Sequence, residues 1–99
     1  MLSTQRDLSQ DSQLFIGKLK QLDLRSIAYE LMHGSEGEKL TFEQTKQALN
    51  HYSMFLCLIN LYPDRKLVPT QEIDRVWHYH ILDTMKYAED CQMLFGRFI

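Results

Sequence analysis

Apolar residues recur along the chain with the three- and four-residue spacing of amphipathic helices. After a polar segment over residues 1–11, the first such run begins at Ser12, and its apolar positions are Leu14, Phe15, Leu19 and Leu22. A second run follows Asp23, a suitable N-cap, and ends at Gly34, because glycine suits the left-handed position after a helix. Its apolar positions are Ile27, Ala28, Leu31 and Met32. These runs predict two helices, followed by a polar loop over residues 35–39.

A third helix is predicted from Thr41 to about Leu61. Thr41 and Gln44 fit a capping box, in which hydroxyl and amide side chains satisfy free backbone N–H groups at the helix start. The residues of the first half that are expected to face inward are Phe42 and Leu49. The second half, residues 52–59, is apolar around its whole circumference. Such a helix lies either at the centre of a bundle or against a partner. The central position is the first interpretation, and a homodimer is the alternative.

The last region, residues 71–98, has the most regular pattern. Pro63 ends the third helix and Thr70 is a suitable N-cap for the next. On a wheel of about 100° per residue, one set of side chains falls within roughly 60° of a single line. Its members are Ile73, Val76, Trp77, His80, Thr84, Tyr87, Ala88, Cys91, Leu94, Phe95 and Phe98. We therefore predict helix throughout, straight or with a modest break near Asp83. No strand is predicted, so the expected fold class is all-α, a small bundle of four or five helices in one domain over residues 12–99.

Composition excludes several classes of function. The chain has 99 residues, 11 basic and 13 acidic in mixed order, so the electrostatic footprint of a nucleic-acid-binding protein is missing. The longest apolar run, residues 54–59, is too short to span a bilayer. Cys57 and Cys91 lie far apart in apolar contexts, and we interpret them as reduced thiols. We therefore expect a cytoplasmic protein with neither nucleic acid nor membrane as a partner.

Chemistry is concentrated in the Trp77-His78-Tyr79-His80 sequence, which contains the only tryptophan. Residues two apart on a helix point about 200° away from each other, so His78 and His80 can bind one zinc or other divalent ion only where the helix is broken. His80 lies within the apolar stripe. Its first interpretation is a buried neutral imidazole bonded to a hydroxyl or a carbonyl group. The alternative is a ligand or acid–base group in a pocket shared with Tyr87 or Cys91.

The neighbouring residues also have two interpretations each. Asp74 lies four residues before His78 and is expected to hydrogen-bond it, either as an ordinary surface pair or to orient a functional histidine. Trp77 is interpreted as the core anchor of its helix, with the floor of a ligand pocket as the alternative. A nucleophilic pair of Cys91 and His80 is disfavoured, because an unbroken helix separates them by about 16 Å. The candidate binding residues are Asp74, Trp77, His78, His80, Asp83, Tyr87 and Cys91, with His78 and His80 as candidate metal ligands.

Several of these residues resemble a known family. The motif comprises Val68-Pro69-Thr70, Ile73-Asp74, Val76-Trp77-His78, His80, Leu82, Tyr87, Asp90-Cys91 and Phe95-Gly96, with upstream matches at Asp23-Leu24, Phe42-Glu43 and Tyr62-Pro63-Asp64. It resembles the conserved region of glycine-rich domain-containing proteins from plants and bacteria. The resemblance implies no established enzymatic activity. Some relatives have proline near position 84, which implies a helix break at Asp83. The glycine-rich segment is absent here, as are the two histidines that follow the motif in bacterial relatives.

These observations rank three hypotheses for function. The first is a non-enzymatic interaction module, with self-association through the third helix as one form of it. The second is a metal- or small-ligand-binding domain built around the Trp-His-x-His sequence, with zinc or another divalent metal as its cofactor. An enzyme that uses the same cluster ranks third.

Overall fold

The computed structural model describes residues 12–99, and within that range the chain is all-α, as predicted. Its five helices are α1 over residues 12–20, α2 (Arg25–His33), α3 (Phe42–Leu61), α4 (Gln71–Leu82) and α5 (Thr84–Phe95). The predicted polar segment, residues 1–11, lies outside the described residues.

Local capping interactions define where α3 and α4 begin. Thr41 Oγ1 accepts a hydrogen bond from the backbone N–H of Gln44 at 3.1 Å, and Gln44 Oε1 accepts one from the N–H of Thr41 at 2.9 Å. The predicted capping box is therefore confirmed. Thr70 Oγ1 accepts from the N–H of Ile73 at 3.2 Å, which confirms Thr70 as the N-cap of α4. These short-range bonds satisfy N–H groups that have no partner within the helix.

The core forms where α2, α3 and α4 pack against one another, and α5 packs on α4. Its buried residues are Phe15, Ile27, Leu31, Ala48, Tyr52, Leu56, Val76, Tyr79 and Leu94. Helix α3 contributes the most to this core but is not enclosed, since Met54 is 63% exposed. Phe42 is also exposed, contrary to the sequence prediction, and the ammonium group of Lys46 lies 5.8 Å from its ring centroid.

The loop between α2 and α3 is fastened to α4. Arg75 Nη2 donates to the backbone oxygens of Glu36 and Glu38, and the Tyr79 hydroxyl donates to the oxygen of Glu36 at 3.2 Å. Gly37 lies at the centre of this loop with φ of 69°, a left-handed conformation that favours glycine. One face of α4 thereby holds the polar loop that the sequence predicted over residues 35–39.

The last region is not one straight helix, because α4 ends at Asp83 and α5 begins at the next residue. Asp83 has ψ of 74°, outside the helical range. Trp77 Nε1–H donates a hydrogen bond to the Tyr87 hydroxyl at 3.0 Å. In an unbroken helix these two residues, ten positions apart, would lie about 15 Å from each other along the axis. The predicted position of the break, near Asp83, is therefore confirmed, but its predicted extent is wrong: the break is not modest, since α5 turns back to pack against α4.

Candidate functional site

A buried chain of polar side chains lies between α3, α4 and α5. His80 of α4 is 1% exposed, and its Nδ1 lies 2.6 Å from the hydroxyl of Tyr52 on α3. Its Nε2 lies 2.7 Å from Oδ2 of Asp90 on α5, and the Lys86 ammonium donates to the same oxygen at 2.9 Å. The sequence interpretation of His80 as a buried histidine bonded to a hydroxyl is confirmed.

The partners of His80 determine where its proton lies. An ionised Asp90 only accepts hydrogen bonds, so His80 Nε2–H donates to it. In the neutral imidazole Nδ1 is then an acceptor, and the Tyr52 hydroxyl donates to it. Lys86 supplies the positive charge that balances Asp90. Each polar group of this network thereby has a partner of the right kind, which is what burial of such groups requires.

Burial controls the ionisation of this network. It lowers the pKa of His80 from its ordinary value of 6.5, and the nearby Asp90 carboxylate opposes that change only in part. Burial also raises the pKa of the Tyr52 hydroxyl far above its ordinary value. Tyr52 is 0% exposed, so its hydroxyl contacts no solvent. The arrangement keeps a neutral imidazole in a fixed orientation, and it leaves no open position beside Tyr52 for a substrate.

A second, partly buried hydrogen bond joins α4 and α5. Trp77 Nε1–H donates to the Tyr87 hydroxyl, which itself donates to the backbone oxygen of Ile99 at 3.2 Å. Burial raises the pKa of Tyr87 to about 12, so it is protonated at neutral pH. Its ring packs edge-on against that of His80 with centroids 4.9 Å apart, and Cys91 is buried nearby on α5.

The remaining predicted site residues do not join this cluster. His78 is exposed, and its Nε2 lies 3.6 Å from Oε2 of Glu36. In the part of the chain that the structure describes, no hydrogen bond links it to Asp74, the partner that the sequence predicted. Asp83 is exposed at the turn between α4 and α5.

The two candidate metal ligands, His78 and His80, differ in their exposure to solvent. The side chain of His78 is 53% exposed, whereas that of His80 is 2% exposed. Across residues 12–99, no three His, Cys, Asp or Glu side chains are placed so that they could hold one metal ion together. His78 and His80 therefore diverge, as the helical spacing predicted.

Sequence reasoning missed Tyr52, Asp90 and Lys86. The spacing of Lys86 and Asp90 by four residues is a readable signal for an ion pair on α5. Nothing local connects either residue to His80, because the turn at Asp83 creates that contact. His51, for which no partner was inferred, lies with Nδ1 2.6 Å from Oε1 of Glu72.

A separate apolar surface lies on α3. Met54, Leu58 and Leu61 are 63%, 43% and 42% exposed, and their spacing of four and three places them along one side of the helix. We call these three residues the α3 ridge. Beside the ridge lies a groove of about 460 Å³ between α3 and the start of α4. It is lined by Met54, Phe55, Leu58 and Ile73, with His51, Thr70 and Glu72 at its border.

Despite this apolar surface, none of the helices in the described residues is long and apolar enough to cross a membrane.

Comparison with known proteins identifies the family. The model of the glycine-rich domain-containing protein-like family matches residues 21–90, which include every side chain of the His80 network. Glycine-rich domain-containing protein 1 of Arabidopsis thaliana is 36% identical over 56 residues, a stretch that covers 52% of this chain and 7% of that protein. No solved structure matches the chain. Because the family model covers well over half of the sequence, the chain belongs to the glycine-rich domain-containing protein-like family.

Proposed function

We propose that this domain is a non-enzymatic interaction module that forms a homodimer through the α3 ridge and the groove beside it. The single observation that carries the proposal is the presence of an exposed apolar ridge and an apolar groove on one face. The buried His80 network does not compete with this role, because its polar groups are occupied by one another.

A second copy of the chain fits this face for a geometric reason. In a two-fold symmetric dimer the same patch meets itself, so each surface must be complementary to its own copy. A face that carries both a ridge and a groove meets this requirement, since the ridge of each protomer can enter the groove of the other. Exposed helical residues at spacings of four and three are the ones that interlock in helix–helix packing.

The charge distribution also favours a second copy over a charged partner. The α3 ridge contains no ionisable residue, and the ionisable groups at the border of the groove, His51 and Glu72, bind each other. The Glu72 carboxylate already has His51 as a hydrogen-bond partner, so contact between two such faces would not bury it without a partner, which is the arrangement that costs most in an interface. Burial of the apolar side chains supplies about 25 cal/mol for each Å² removed from water.

Sedimentation equilibrium of the wild type and two matched variants tests the proposal. Met54→Glu places a like charge on both halves of the proposed interface, whereas Met85→Glu makes the same change at a residue of α5 that is 79% exposed and does not line the groove. We expect the wild type and Met85→Glu to dimerise with rising concentration, and Met54→Glu to remain monomeric with unchanged helicity. A wild type that stays monomeric up to about 1 mM, or a Met54→Glu variant that dimerises equally well, would refute the proposal.

A further inference from the structure

A second cavity, of about 320 Å³, lies beside Trp77. Its walls come from the end of α3, the loop that follows it, α4 and the residues after α5. Phe55 and Trp77 form one side, with ring centroids 5.4 Å apart. Leu67 of the loop adds a further apolar surface. The volume is at the lower end of the range of about 300–1,000 Å³ that is typical of small-molecule sites.

The indole of Trp77 offers only apolar surface to this cavity. Its one hydrogen-bond donor, Nε1–H, is bonded to the Tyr87 hydroxyl at 3.0 Å. That bond also fixes the orientation of the ring, so this wall of the cavity is formed before any ligand arrives. Aromatic walls held in this way bind the apolar body of a ligand with little ordering cost. Any specific polar contact must therefore come from the other side chains that line the cavity.

Those side chains are two arginines. Among the described residues, Arg65 and Arg97 are the only ones with a charged side chain that line the cavity. Across the described range, residues 12–99, neither guanidinium group forms an ion pair with an Asp or Glu side chain. The Arg65 guanidinium lies 5.4 Å from the ring centroid of Tyr62, which supports it at the edge of the loop. Acidic residues outnumber basic ones in the sequence, yet within this range no Asp or Glu side chain pairs with either arginine.

We propose that this cavity binds a small amphipathic carboxylate, with its apolar body against Phe55 and Trp77 and its head group paired with Arg65 and Arg97. The planar guanidinium group matches a carboxylate through two parallel hydrogen bonds, which gives both affinity and orientation. A neutral ligand of the same shape would occupy the apolar wall but leave both arginines without a partner. None of the three α3 ridge residues lines this cavity, although Phe55 lines both the cavity and the groove beside the ridge.

Fluorescence provides a direct test, because Trp77 is the only tryptophan and lines the cavity. The wild-type protein is titrated with octanoate and with octanamide, its uncharged analogue of nearly equal size. We expect octanoate to change the Trp77 emission to saturation, and octanamide to bind at least about tenfold more weakly. Equal affinities for the two compounds, or no saturable change with octanoate up to about 10 mM, would refute the proposal.

Variants locate the binding site. The double variant Arg65→Gln, Arg97→Gln should weaken octanoate binding by about tenfold or more and leave octanamide binding unchanged. Lys66→Gln removes one positive charge beside Arg65 at a residue that does not line the cavity, so it should bind octanoate as the wild type does. If Lys66→Gln weakens binding as much as the double variant does, general charge attraction explains the result. If Met54→Glu abolishes binding, octanoate occupies the α3 groove instead. Either outcome would overturn the assignment of this cavity.

Discussion

The hydrogen bond between Tyr52 and His80 makes a quantitative prediction for stability. Tyr52→Phe keeps the ring and removes only the hydroxyl, so no cavity forms, but His80 Nδ1 becomes a buried acceptor without a partner. His80→Leu substitutes an apolar side chain of similar volume and leaves the Tyr52 hydroxyl without an acceptor. Because both residues are at most 1% exposed, water cannot replace the lost partner. Each substitution should therefore lower the free energy of unfolding by about 1–3 kcal/mol.

The double variant isolates the hydrogen bond itself. Once one partner is absent, removal of the other deletes an unsatisfied polar group instead of creating one. The double variant should therefore be about 1–2 kcal/mol more stable than the sum of the two single effects predicts. Urea unfolding followed by circular dichroism at 222 nm measures all four proteins, with equal slopes required for a valid comparison.

Tyr79→Phe supplies the matched control for this cycle. Tyr79 is also a buried tyrosine of the core, but its hydroxyl donates to the backbone oxygen of Glu36 and not to His80. Its effect should depart from additivity with His80→Leu by less than the Tyr52→Phe effect does, because Tyr79 and His80 share no hydrogen-bond partner, although they are neighbours in the sequence. Additive effects in the Tyr52–His80 cycle as well would refute the view that these side chains form one buried unit.

Three further predictions follow from the described residues. Since burial lowers the pKa of His80, the unfolded chain binds a proton before the folded protein does as the pH falls below 6.5. The free energy of unfolding should therefore fall there by at most about 1.4 kcal/mol per pH unit. His80→Leu should remove this contribution, as measured by urea unfolding at several pH values. The hydroxyl of Thr45 is buried without a partner, so Thr45→Val should raise the melting temperature, and a decrease would show that the hydroxyl is satisfied. Gly17→Ala in α1 should stabilise the protein by about 0.5–1 kcal/mol, whereas Gly96→Ala, at φ of 72°, should destabilise it by about 1 kcal/mol. Equal effects of the two alanines in thermal unfolding would contradict this assignment of backbone conformation.

The sequence predicts several parts of the fold that depend on neighbours along the chain, although two local predictions for α2 are wrong: its N-cap is Leu24 and not Asp23, and Gly34 after it is extended, with φ of −68°, and not left-handed. The starts of α3 and α4 are readable because Thr41 and Thr70 bond to N–H groups three residues later. The burial of His80 is readable from its position in an apolar stripe. Each of these features needs only helical geometry, which a helical wheel represents correctly.

The sharpness of the turn at Asp83 is the feature that the pattern conceals. Neither proline nor glycine lies between Thr70 and Phe95, and the apolar stripe continues in phase across the break. A wheel assumes one continuous helix, so it places Thr84 and Ala88 on the buried side, yet both are exposed. The partners of His80 could not be identified for the same reason: Asp90 reaches it through this turn, and Tyr52 lies 28 positions away.

The turn also explains why so much chemistry is concentrated in one short sequence. Trp77 and His80 each bond to the residue ten positions later, Tyr87 and Asp90, so two polar side chains of α4 hold α5 in one register. Apolar contacts are not directional, so they do not by themselves select one register between two packed helices. A hydrogen bond is directional, so each of these two bonds can form in only one register. The Trp-His-x-His motif is thereby accounted for by the architecture of the α4–α5 pair. Binding, as we propose it, takes place on surfaces that this architecture positions: the outer wall of Trp77 and the exposed side of α3.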